Sequence, residues 1–111
     1  MAVTVAIPER YVETLAPLGR LEETVDLALQ RYAIERITAR IAELRRRDRN
    51  FQAKYSCDYE AFVERTISDE EFVREIEATI SKTWELDLAE WEFCHKGIED
   101  WAQRLQTILL E

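Results

Sequence analysis

The chain has 111 residues, 47% hydrophobic and 34% charged, with a formal net charge of -8 and only two glycines and two prolines. That length allows one ordinary domain or a small domain with a long appendage, and so few turn residues exclude a sheet-rich fold with many tight turns. No apolar run is long enough to span a bilayer, and acidic residues stand near the amino terminus where a leader would be basic and then apolar, so a soluble cytoplasmic protein with no membrane partner is expected.

The expected fold is mainly α: a short amino-terminal β-strand, a long helix and a helical carboxy-terminal extension. Residues 2–7, Ala-Val-Thr-Val-Ala-Ile, are β-branched at four of six positions and stop at Pro8, which cannot continue a central strand. Alternation predicts Val3, Val5 and Ile7 on a core face, with Ala2, Thr4 and Ala6 exposed. A lone strand must satisfy its backbone elsewhere, and the same strand of a second copy is the simplest partner, so a homodimer is expected. A short helix over residues 9–16 follows, ended by Pro17 and Gly19.

A long helix is predicted from residue 20 to about 49. Leu27, Ile34, Ile37, Ile41, Leu44 and Phe51 follow one another at 7, 3, 4, 3 and 7 residues, the spacing of a heptad seam, and Leu27, Ile34, Ile37 and Ile41 are assigned to dimerisation. Leu21, Val25, Ala28, Leu29 and Tyr32 form a second strip, which predicts burial of the first half of this helix on two sides. Arg45, Arg46, Arg47 and Arg49 fall at the expected helix end, with Asn50 as C-cap. Cations there complement the helix dipole, or alternatively meet phosphate.

Ser56 or Asp58 is expected to cap a helix carrying Tyr59, Phe62, Val63 and Ile67. Ser68 to Glu71 reads as a capping box for the next helix, with Phe72, Val73, Ile76 and Ile80. Asp87 is expected to cap the last helix, whose Trp91, Cys94, Ile98, Trp101, Leu105 and Ile108 form a second heptad seam. The pattern divides the chain into a dimerising unit, 1–50, and an acidic helical extension, 51–111. Residues 1–54 hold 10 basic and 8 acidic side chains, net +2, whereas 55–111 hold 5 and 15, net -10. The first part can lie against nucleic acid. The second is repelled by phosphate and attracted to a basic protein.

Little in the chain carries catalysis. There is no glycine-rich loop, and His95 adjoins Cys94 on a helix, where neighbouring side chains diverge. Cys57 and Cys94 form no CxxC pair and are expected to be reduced and buried. Paired carboxylates at Glu23/Asp26, Glu60/Glu64, Glu71/Glu75 and Asp87/Glu90 fit a Mg²⁺-dependent nucleotide hydrolase only loosely, so no enzyme, cofactor or metal is expected.

The lone strand ending at Pro8, the short helix, Gly19 and the stretch Leu-Glu-Glu-Thr-Val-Asp-Leu-Ala-Leu-Gln-Arg-Tyr over residues 21–32 resemble a ribbon-helix-helix unit. That resemblance implies a dimer whose strand side chains, Thr4 here, enter the DNA major groove. Residues 54–62, Lys-Tyr-Ser-Cys-Asp-Tyr-Glu-Ala-Phe, and 87–92, Asp-Leu-Ala-Glu-Trp-Glu, are similar to the tails of small helical antitoxins of type II toxin-antitoxin systems. The resemblance implies a tail that neutralises a toxin encoded nearby, with operator DNA as a second partner. Tyr59, Phe62, Trp84, Trp91, Trp101 and Leu105 are the expected partner contacts, and Thr4, Arg45, Arg46, Arg47 and Arg49 the expected DNA contacts. A non-catalytic helical scaffold for another protein is the alternative, favoured by the absence of basic side chains at Ala2 and Ala6.

Overall fold

A computed structural model describes residues 1–110. In chain order these form α1 (Glu9–Leu15), a 3-10 turn (Ala16–Leu18), α2 (Leu21–Tyr55), α3 (Tyr59–Ser68), α4 (Glu70–Thr79) and α5 (Trp84–Leu110). There is no strand among the described residues, which overturns the expected amino-terminal strand and ribbon. Residues 1–8 have no regular structure, and Val3 and Val5 are 78% and 75% exposed instead of facing a core. Ile7 is exposed too, and Thr4 has no ribbon from which to be displayed. β-branched side chains suit a pleated surface, but a strand exists only where a second one takes up its backbone donors and acceptors.

The chain divides into two compact units, residues 1–35 and residues 36 onward, at a point inside α2. In the first unit Pro8 precedes α1, where its missing N–H costs nothing. Gly19 then takes φ 152°, a conformation that side chains with a Cβ rarely adopt, before α2 begins. Glu22 and Glu23 stand in the first turn of α2, at the positive end of its dipole. The expected burial of this stretch on two sides is not found, since no residue from 1 to 35 is buried and Leu29 and Tyr32 are each 64% exposed.

The second unit holds the core. Here α2 runs past the expected stop near Asn50 to Tyr55, because Phe51 and Tyr55 continue its apolar face into an aromatic cluster. Ser56 then adopts a left-handed φ of 56°, the conformation that usually selects glycine after a helix. Asp58 caps α3 by accepting from the Ala61 N–H at 2.8 Å. The cap of α4 is Asp69, accepting from the Phe72 N–H at 3.1 Å, so the expected capping box is displaced by one residue. Ser68 instead ends α3 and donates to the Glu64 carbonyl at 2.8 Å. Tyr55, Phe62, Phe72, Ile76 and Trp91 form the core, with Phe51, Cys57, Tyr59, Trp84 and Leu88 packed around it. Along the two seams Ile37, Ile41 and Leu44 of α2 are buried, as are Trp91 and Cys94 of α5. The two helices approach so closely that a Cβ at Gly97 would lie 3.0 Å from Leu44 Cδ1.

Candidate partner-binding site

The two stretches expected to contact a partner are joined to each other. Lys54 at the end of α2 pairs with Asp87 in the first turns of α5 at 2.6 Å, and the Tyr55 hydroxyl donates to the same carboxylate oxygen. Burial works against the Asp87 carboxylate, but the hydrogen bonds from Lys54 and Tyr55 outweigh it and hold its pKa below the ordinary value. Burial, reinforced by the bond to Asp87, pushes the Tyr55 phenol well above its ordinary value. Asp87 therefore does not cap α5, which starts three residues earlier at Trp84. Its carboxylate clasps the two ends of the aromatic cluster instead.

Around this clasp the Trp91 ring lies 5.2 Å from Phe62, 5.6 Å from Phe51, 5.8 Å from Tyr59 and 6.0 Å from Tyr55, centroid to centroid. Its indole N–H donates to Asp48, so the polar edge of this buried ring is satisfied. Trp91 and Phe62 are fully buried, which corrects their expected role as contacts offered to a partner. Tyr59 is half-buried and stacks on His95 at 4.6 Å, and Trp84 is half-buried with its N–H on Glu77 at 3.1 Å. His95 Nε2 lies 2.9 Å from Glu60, which links α5 to α3.

The arginine cluster does not sit at a helix end. Arg47 pairs with Glu90 of α5 at 2.6 Å, and that hydrogen bond raises its pKa further. Arg46 pairs with Glu43 one turn earlier at 2.7 Å. Among the described residues Arg45 and Arg49 make no ion pair, and both border a shallow surface groove with Asp48, His95 and Glu99. The four arginines thus separate into Arg47, which ties α2 to α5, Arg46, which pairs within α2, and two that remain free cations.

The outward-facing apolar residues include the expected contacts Trp101 and Leu105, together with Leu86 and Phe93, which are not among them. Leu86 is 71% exposed and Phe93 57%, one heptad apart on α5, and Ile67 on α3 is 82% exposed. Phe93 and half-buried Trp101 border an open groove of about 480 Å³ floored by Leu44 and Gly97 and flanked by Arg40 and Arg104. The Arg104 guanidinium lies 4.5 Å above the Trp101 ring. On the other side of α5, Leu105 and Ile41 line a second groove of about 500 Å³ beside Arg45. The signal for Leu86 and Phe93 was available in the sequence, since both are large apolar residues lying outside the seam of their helix.

Burial raises the pKa of both thiols, of Cys94, which is buried as expected, and of Cys57, which is only half-buried. No group of three His, Cys, Asp or Glu side chains among the described residues is placed to hold a metal ion. Of the paired carboxylates, Asp87 is held by Lys54, Glu90 by Arg47, Glu60 by His95 and Glu23 by Arg20, whereas Asp26, Glu64, Glu71 and Glu75 make no ion pair among the described residues. No described helix is long and apolar enough to cross a membrane. Comparison with protein-family models, curated proteins and solved structures returns no match.

Proposed function

We propose that this chain is an antitoxin-like cytoplasmic protein whose second unit binds and neutralises a basic toxin encoded nearby. The observation that carries this reading is the clasp: the two stretches similar to antitoxin tails meet at Lys54, Tyr55 and Asp87 and close over one aromatic core. A motif that builds a folded acidic unit is what a tail acting as a binding module requires. Residues 58–79, which include α3 and α4, hold eight acidic side chains and only two basic ones. That charge steers a basic protein towards the unit and competes with RNA phosphates for its cationic site. Leu86, Phe93 and Ile67 supply exposed apolar contact in place of the buried Trp91 and Phe62.

The test is co-expression with the basic protein of the adjacent reading frame. A neighbour that arrests growth alone, and is harmless in a stable complex with this chain, supports the reading. A neighbour that is harmless alone and does not co-purify overturns it. The second reading, a scaffold for a protein other than a toxin, is favoured by the absence of any strand among the described residues, because no ribbon is present to read base edges. Under that reading the neighbour is not toxic and the acidic unit serves another basic partner.

A further inference from the structure

The heptad seam of α2 is covered over only part of its length. Ile37, Ile41 and Leu44 are 7%, 8% and 0% exposed, whereas Leu27, earlier on the same seam, is 48% exposed. No residue in the first unit is buried, although it carries Val3, Val5, Tyr11, Leu18, Leu29 and Tyr32 at exposures between 49% and 78%. Leu29 and Tyr32 lie on the opposite side of α2 from Leu27 and Ile34, whereas Val3, Val5, Tyr11, Leu18 and Leu27 together present on the order of 550 Å², about two-thirds of the ~800 Å² that each partner contributes to a standard protein interface. An isolated monomer leaves that surface in water.

We propose that residues 1–35 form a self-association surface covered by the same residues of a second copy, with the two α2 helices parallel along Leu27 and Ile34. The orientation follows from charge. With Leu27 and Ile34 at the first position of successive heptads, Asp26 precedes the seam on one flank and Arg31 follows it on the other. Parallel, in-register helices place Asp26 of each copy against Arg31 of the other, once on each side of the pair. Antiparallel helices bring like flanks together and lose both pairs. Neither Asp26 nor Arg31 makes an ion pair within its own chain among the described residues, and the only pair in this unit is Arg20 with Glu23. A second copy supplies both missing partners by symmetry. Parallel pairing also brings both copies of residues 1–20 to the same end, where Val3, Val5, Tyr11 and Leu18 can share one cluster. This pairing is of helices, without a strand, and does not depend on what the second unit binds.

Sedimentation equilibrium of the full chain across the micromolar range tests it. The wild type is expected to be dimeric and Leu27→Asp monomeric, with the melting of the second unit unchanged. Asp26→Arg and Arg31→Asp each set like charges across the pair and are expected to weaken dimerisation about ten-fold, and the double variant to recover to within about three-fold of wild type. A wild-type monomer at about 100 μM, or a Leu27→Asp variant that still dimerises, overturns the surface. A double variant no tighter than either single one overturns the parallel orientation.

Discussion

Replacing Trp91 with alanine distinguishes a core residue from a contact surface. Trp91 has no exposed surface, touches four aromatic rings within 6.0 Å and satisfies its indole N–H on Asp48. Truncating a buried Trp to Ala costs about 3–5 kcal/mol, and a unit of this size has a total stability on the order of 4–11 kcal/mol. The variant is therefore expected to lose roughly 12–40 °C in melting temperature, measured by the far-ultraviolet circular dichroism of the protein without any partner. Phe93→Ala removes a side chain that is 57% exposed and is expected to stay within about 1 kcal/mol of wild type. If Trp91→Ala melts like wild type and loses only partner binding, the assignment of this residue to the core is wrong.

Three further outcomes follow from the same geometry. The lowered pKa of Asp87 contributes stability that is present above the unfolded carboxylate value and lost as pH falls below about 4, and the raised pKa of Tyr55 contributes stability that is present below about pH 10 and lost as pH rises beyond it. Melting temperature against pH should thus fall at both ends, with a shallower alkaline limb in Tyr55→Phe; an identical alkaline limb contradicts the Tyr55 assignment. Asp58→Ala and Asp69→Ala each remove a cap that accepts a backbone N–H and should each cost about 1 kcal/mol in a denaturant titration, while the neighbouring Ser68→Ala should cost less. Ser56→Gly relieves the left-handed φ of 56° and should stabilise the protein by about 0.5–1 kcal/mol; a loss of stability would show that the Ser56 side chain contributes something its backbone does not reveal.

The helices were legible where a local signal has one interpretation. Pro17 and Gly19 ended the first helix, and the spacing of Trp91, Cys94, Ile98, Trp101, Leu105 and Ile108 marked one continuous face of α5. The errors arose where a residue had two physically reasonable uses and tertiary contacts chose between them. Arg45–Arg49 beside Asn50 resembled a helix end, yet Arg47 is held by Glu90, 43 residues away, and Phe51 and Tyr55 carry the helix onward. Asp87 had the spacing of a cap and became a clasp for Lys54 and Tyr55, 33 and 32 residues distant. Trp91 and Phe62 were recognised as important aromatic residues, but periodicity alone does not say whether an apolar face meets its own chain or another. The amino-terminal segment failed as a strand for a different reason, because β propensity describes a residue within a sheet and cannot provide the neighbouring strand.

The measurement that bears most directly on the function proposed is calorimetric titration of this protein with the basic product of the adjacent reading frame, at low and at high salt. Binding in the nanomolar to micromolar range, weakened about ten-fold or more between 50 and 500 mM salt and lost in Phe93→Asp, is the expected result. No heat of binding, or an affinity indifferent both to salt and to Phe93→Asp, would contradict the account.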